Sequence, residues 1–143
     1  MKNLRIGITM RETNAIEYVE IRDSISRDWV KYLKKCMTNS NFIFLPNLGN
    51  DITKYIKEWD LNGFIFTGGN DYGESKERDL TEKKIFEYAQ TYDYPILGIC
   101  RGSQIIYKLM GGSIKKGNPN YVDFHCNNNH KIIKIKGDTI KFH

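Results

Sequence analysis

Tyr94-Pro95-Ile96-Leu97-Gly98-Ile99-Cys100-Arg101-Gly102-Ser103-Gln104 is the stretch that decides the fold. An apolar run ends at a cysteine, and a glycine stands two residues to either side of it. Ile105-Ile106-Tyr107-Lys108-Leu109-Met110 follows, then Gly111-Gly112. The spacing predicts a strand, a sharp turn, a helix and a glycine stop. This is the cysteine form of the nucleophile elbow, in which a strained strand-to-helix turn pushes a reactive side chain clear of a sheet. Gly98 and Gly102 are required where the chain comes too close to itself for a Cβ. A thiol at a helix N-terminus feels the positive end of the helix dipole, which favours the thiolate. The Arg101 N–H is then aimed at the place where an oxyanion would form. A buried structural cysteine fits the same letters, since cysteine is among the most buried residue types.

Working outward, apolar segments alternate with helical ones. Leu4 to Met10 reads as a first strand. Arg11 to Asp23 is polar and is expected to be a loop over the C-terminal edge of the sheet. Ser24 is the candidate cap of a helix over Ser26–Met37, with Trp29, Val30, Leu33, Cys36 and Met37 facing the sheet. That makes Cys36 a packing residue. Asn41 to Leu45 is a short buried strand closed by Pro46. Asp51 is the expected cap of a helix over Ile52–Trp59, whose inner face carries Ile52, Tyr55, Ile56 and Trp59. Leu61 to Thr67 is a third strand running into Gly68-Gly69-Asn70-Asp71. Thr81 to Gln90 is a helix with Ile85, Phe86 and Ala89 inward, and the central strand and elbow follow.

Such alternation implies a mostly parallel sheet covered on both faces. Ligand sites in these sheets lie outside the carboxyl ends of the strands. Gly68-Gly69 and Cys100 both end strands, so both fall on that edge. Beyond Gly112 the residues turn to Gly, Pro and Asn. Lys131 to Lys136 then reads as a half-buried strand, Gly137-Asp138 as a turn, and Thr139 to His143 as the start of a partner strand.

The 143 residues suit one domain spanning 1–143, large enough to bury about 70% of its unfolded surface. Hydrophobic content of 40% and charged content of 27% are those of an ordinary globular chain. The net charge of +5 is spread along the sequence and forms no nucleic-acid arm; it is compatible with an anionic substrate but equally with solvated lysines. Cys36, Cys100 and Cys126 are odd in number and widely spaced, which points to reduced thiols and a cytoplasmic location. No run approaches the roughly 18 residues of a membrane span, and the N-terminus leads straight into a strand. His125, Cys126 and His130 fall short of a four-ligand zinc set, so no metal is expected. A phosphate-binding G-x-x-x-x-G-K-[ST] loop is absent, and no cofactor is expected.

Gly98-Ile-Cys-Arg-Gly-Ser-Gln104 together with Leu109-Met-Gly-Gly112 closely resembles the class I glutamine amidotransferase-like group. Within it the best match is the gamma-glutamyl-gamma-aminobutyrate hydrolase (peptidase C26) branch, picked out by the arginine after the cysteine and the later glutamine. The resemblance runs from Leu4 to the end of the chain. It implies a flavodoxin-like three-layer α/β sandwich and hydrolysis of a gamma-glutamyl amide through a glutamyl thioester on Cys100. It further implies an oxyanion held by the Arg101 and Gly69 N–H groups. The glutamyl part of the substrate would be placed by Gln104, Gly68, Asn70 and Asp71. By themselves Gly68-Gly69 fit a simple turn, Gln104 fits a helix surface, and Asn70-Asp71 fit a shaped turn. Arg78-Asp79 resembles an Arg-Asp pair of this branch, although the residues alone read more simply as an exposed ion pair with a helix cap. Tyr72 falls near the mouth of the expected pocket.

A thiol nucleophile of this type needs a histidine base oriented by a carboxylate. In the family these are a His-x-Glu well downstream of the elbow. His125 and His130 come too early, and His143 is the last residue. The chain is therefore expected to be C-terminally incomplete relative to the family; a degenerate member or an unusual base such as His125 stays open. The partner is a small gamma-glutamyl substrate, with no nucleic acid, no membrane, and homodimerisation left open. The amine side is open between gamma-aminobutyrate and the CDP-amidate handled by small hydrolases of capsule phosphoramidate pathways, which the Lys- and Asn-rich chain also resembles. Two other classes remain: a glutaminase component serving a synthetase, and a non-catalytic gamma-glutamyl-binding module.

Overall fold

The computed structural model describes residues 4–115 and 117. The chain divides after Ser113, and the elements below all belong to the part before that point. Expectations for His125, Cys126, His130 and the strand at Lys131–Lys136 lie outside the described residues.

Four strands, β1 (Arg5–Thr9), β4 (Asn41–Leu45), β5 (Gly63–Phe66) and β6 (Ile96–Gly98), make an all-parallel sheet. Their order is β4-β1-β5-β6. Ile6 of β1 pairs with Phe42 of β4 and Gly63 of β5, and Ile65 of β5 with Leu97 of β6. All four residues of β5 are buried, the mark of a strand covered on both faces. The interior positions fall to β1 and β5. In the described sheet β6 is an edge strand rather than the centre, and Leu97 is half exposed there.

Side-chain alternation sorts two cores onto the two faces. On one, Ile6, Ile8 and Ile65 pack with Leu33, and Trp29, Met37, Phe42 and Phe44 border them. Leu33 belongs to α1 (Arg27–Cys36) and is fully buried, a burial that stabilises by about 2 kcal/mol. On the other face Phe64, Phe66 and Leu45 meet Ile52 and Ile56 of α2 (Ile52–Glu58), Ile85, Phe86 and Ala89 of α3 (Lys76–Tyr92), and Ile105 of α4 (Arg101–Leu109). The result is helix, sheet, helices: the expected three-layer α/β arrangement with a parallel sheet.

Several local expectations are corrected. The segment expected as a loop forms an antiparallel hairpin of β2 (Arg11–Asn14) and β3 (Ile21–Ser24). Its strands are polar and mostly solvated, so they lack the alternation that marks a half-buried strand. Helix α1 is capped by Ser26, whose side chain accepts from the Asp28 N–H at 3.3 Å, while Ser24 lies within β3. Asp51 gives no cap bond; its backbone is already helical (φ −77°, ψ −11°), at the end of a short 3-10 turn (Gly49–Asp51), whereas a capping residue needs an extended one. Cys36 is exposed rather than packed, being the last helical residue, to one side of the Trp29–Leu33–Met37 stripe. Trp59 is likewise half exposed. Helix α3 begins at Lys76 behind the Ser75 cap, five residues before Thr81, because its first turn is charged and carries no apolar signal.

Candidate active site

The parallel sheet delivers the ends of β1, β5 and β6 to one edge. There β6 passes through Ile99 into Cys100, and α4 starts at Arg101. Cys100 has φ 54° and ψ −118°, a region that L-residues seldom occupy and that costs on the order of 1–3 kcal/mol. The turn is closed behind it: the Gly102 N–H donates to the Ile99 carbonyl at 2.9 Å and the Ser103 N–H to the Cys100 carbonyl at 3.0 Å. Two glycines make it feasible. A methyl group on Gly98 would lie 2.6 Å from the Gly102 carbonyl oxygen, and one on Gly102 would run into the Phe66 carbonyl. The strained turn presents the Cys100 side chain as exposed. The Arg101 N–H opens the helix and has no acceptor among the described residues, as the first-turn geometry of a helix dictates.

The loop after β5 comes up beside this turn. A methyl group on Gly68 would sit 3.4 Å from the Cys100 Cβ and 3.8 Å from its Sγ. Gly69 has φ +94°, and a Cβ there would meet the Arg11 side chain at 2.6 Å, so both conformation and space ask for glycine. The Asn70 amide is engaged by β2: its Oδ1 accepts from the Glu12 N–H at 2.9 Å and its Nδ2 donates to the Glu12 carbonyl at 3.1 Å. Asp71 is exposed, with its N–H on Glu74 at 2.7 Å. Gln104 is exposed one helical turn after Cys100. Tyr72 is half exposed, and the Lys108 ammonium lies 3.6 Å from its ring centroid. The structure thus brings Gly68 against Cys100 and places Arg101 and Gln104 on the elbow helix; Asn70 braces the hairpin.

Beneath both turns is a group of four charges, three of them buried and Asp79 at the edge, that sequence reasoning missed. Arg78 and Glu82 are fully buried and Arg101 nearly so. Arg101 pairs through Nη1 with Glu82 and through Nη2 with Asp79. The Arg78 Nε donates to Glu82 at 3.2 Å, and Glu82 also accepts from the Thr9 hydroxyl at 2.8 Å. Asp79 accepts from the Gly73 N–H at 2.7 Å. The Arg78 Nη2 donates to the carbonyls of Thr67 at 2.8 Å and Gly68 at 3.1 Å. Two positive and two negative charges balance, which is the condition for burying them. Burial pushes both guanidinium groups down to about 10, so both remain charged near neutral pH. The expected exposed ion pair at Arg78-Asp79 is therefore corrected. The one sequence signal was the i, i+4 spacing of Arg78 and Glu82 on one helix face.

Among the described residues, no helix is long and apolar enough to cross a membrane, and no three His, Cys, Asp or Glu side chains gather to hold a metal.

The family model described as Peptidase C26 matches residues 5–141. The chain is 37% identical over 107 residues to a gamma-glutamyl-CDP-amidate hydrolase of Campylobacter jejuni, an alignment covering 71% of this chain and 52% of that protein. It is 40% identical over 62 residues to one subunit of the glutamine-hydrolyzing GMP synthase of Pyrococcus furiosus, covering 43% of this chain and 31% of that one. A Clostridium botulinum GMP synthase (glutamine-hydrolyzing) is 43% identical over 61 residues, 41% of this chain and 11% of that protein. The match spans about half the length of the Campylobacter relative and less of the others. With a strained cysteine elbow on a parallel sheet and a family match over nearly its whole length, this chain belongs to the Peptidase C26 family.

Proposed function

We propose that this chain carries the nucleophile and oxyanion half of a gamma-glutamyl amide hydrolase. The observation that carries the reading is Cys100 at φ 54°, ψ −118°, exposed at the strand-to-helix junction with Gly68 beside it. No packing need explains a strained, solvent-facing cysteine, whereas a nucleophile must stand clear of the sheet.

In this reading the Cys100 sulfur attacks the gamma-carbonyl of the substrate. The carbonyl electrons move to oxygen, where the Arg101 and Gly69 N–H groups meet the negative charge. Collapse breaks the C–N bond, and the amine leaves with a proton. Water then cleaves the glutamyl thioester to glutamate and restores the thiol. Gln104, Gly68 and Asp71 border the space for the glutamyl group, and Asn70 contributes by bracing the loop. All three histidines lie outside the described residues.

For the leaving amine we take the nucleotide-linked class, because the Campylobacter relative is named for a CDP-amidate. Cys36 and Cys100 are free thiols, which suits a reducing cytoplasm. The test is glutamate release from gamma-glutamyl-CDP-amidate, gamma-glutamyl-gamma-aminobutyrate and free glutamine, side by side. Release from the first, lost in Cys100→Ala, supports the reading. Release from gamma-glutamyl-gamma-aminobutyrate with none from the nucleotide compound sinks the substrate assignment. The GMP synthase matches favour a second reading, a glutaminase component; turnover of glutamine alone would select it. Gamma-glutamyl binding without turnover, unchanged in Cys100→Ala, would point to a binding module.

A further inference from the structure

The Gly68-Gly69 peptide has a freedom that most peptides lack. With no Cβ on either side, the unit can rotate about its neighbouring bonds and exchange the directions of its C=O and N–H. An oxyanion donor cannot be allowed to turn away, since electrostatic catalysis depends on donors fixed in advance. Something outside the loop must choose the orientation.

Arg78 is placed to do so. Its Nη2 donates to the Gly68 carbonyl at 3.1 Å and the Thr67 carbonyl at 2.8 Å, and its Nη1 to Asn70 Oδ1 at 3.3 Å. One guanidinium thus holds three residues of the loop. No described peptide bond is cis, and in a trans peptide the N–H points opposite to the C=O. Holding the Gly68 oxygen on the Arg78 side therefore turns the Gly69 N–H to the other side. Arg78 is itself held by Glu82, which also takes the Thr9 hydroxyl at the end of β1 and Arg101 at the elbow. The far end of the loop is tied at Gly73 by Asp79, the other partner of Arg101.

We propose that Arg78 is a positioning residue that locks the Gly68-Gly69 peptide with the Gly69 N–H facing the reacting carbonyl, and that the Glu82 bridge sets this donor in register with the Arg101 N–H. The inference rests on the hydrolase reading above and deepens it.

The test uses 5-oxopentanoate, an aldehyde with the carbonyl of a glutamyl side chain, labelled with 13C at that carbon. The thiol adds across the C=O: an S–C bond forms, the C=O π bond breaks, and the thiol proton ends on the new oxygen. This is a reversible equilibrium and needs no catalytic histidine. NMR titration of the intact protein gives the affinity of the Cys100 adduct, and alkylation by iodoacetamide reports thiol access without any oxyanion. In Arg78→Lys, which keeps the charge but not the three-way fork, the adduct should weaken about tenfold, the scale of one lost hydrogen bond to a neutral oxygen. Alkylation should stay within about threefold, on the same argument. Ile85→Ala, a core truncation away from the loop, should lose stability and keep the adduct. In the wild-type protein the Gly69 amide proton should move downfield as the adduct forms. An Arg78→Lys adduct within about threefold of wild type, or a Gly69 amide that stays put, overturns the inference alone. A wild-type protein that alkylates at Cys100 but forms no adduct overturns the hydrolase reading and this inference with it.

Discussion

Replacing Cys100 by glycine should make the protein more stable than replacing it by alanine. Residue 100 has φ 54° and ψ −118°, which costs a residue bearing a Cβ about 1–3 kcal/mol and glycine little. Alanine removes the sulfur but keeps the Cβ, so it keeps the strain. Glycine removes the strain and loses about 0.5–1 kcal/mol through the greater freedom of the unfolded chain. The position is exposed, so little buried area is lost in either variant. The balance favours glycine by about 1 kcal/mol, which at this chain length raises the melting temperature by about 4 °C. Urea titrations followed by circular dichroism, with the two variants run in parallel, measure the difference directly. Both variants should release no glutamate. If Cys100→Gly proves less stable than Cys100→Ala by about 0.5 kcal/mol or more, the turn is not strained and the elbow argument fails.

Other outcomes follow from the same geometry. Gly102→Ala drives a methyl group into the Phe66 carbonyl and to 2.9 Å from the Phe66 Cβ; since backbone on both sides must give, it should cost roughly 3 kcal/mol or more by chemical denaturation. Arg101→Met should cost about 3 kcal/mol, the low end for breaking a buried ion pair, because Glu82 keeps Arg78 and the Thr9 hydroxyl and the Arg101 Nε has no acceptor to lose. A glutamine-mimicking chloroketone should label Cys100 and spare Cys36, though both thiols are exposed, with tryptic mass mapping as the readout; equal labelling would argue against a glutamyl pocket. Burial holds Arg78 and Arg101 at about 10, below the ordinary guanidinium range. The folded state therefore sheds these protons before the unfolded one, and their share of the stability changes only above about pH 10. Unfolding free energy should show no step from them between about pH 7 and 9. A step there that vanishes in Arg101→Met would contradict the assignment.

Much of this was legible in the residues because it is local. The elbow is written in the spacing of Gly98, Cys100 and Gly102, and the structure shows each glycine where a Cβ would collide. The strands at Arg5–Thr9, Asn41–Leu45 and Gly63–Phe66 announce themselves as apolar runs of strand length bounded by polar residues. Their alternation with helices fixes a parallel sheet, and a parallel sheet fixes which edge carries Gly68, Gly69 and Cys100. The hairpin of Arg11–Asn14 and Ile21–Ser24 was hidden because its pattern follows neither a helical nor a strand period. Its register depends on partners elsewhere: Asn70 holds Glu12, and Asp23 accepts from the Asn47 N–H at 2.9 Å.

The sequence by itself determined the family, the layered parallel sheet and the strained cysteine, since each follows from neighbours within a few residues. Only the tertiary structure decided that Arg78, Glu82 and Arg101 are buried, with Asp79 at their edge. On a helix surface a charged residue is ordinarily solvated, and what reverses that here is a partner 19 to 22 residues away, between Arg101 and its two carboxylates. Burial of a charge is a property of the pair and of the space around it, and neither is written in the local sequence.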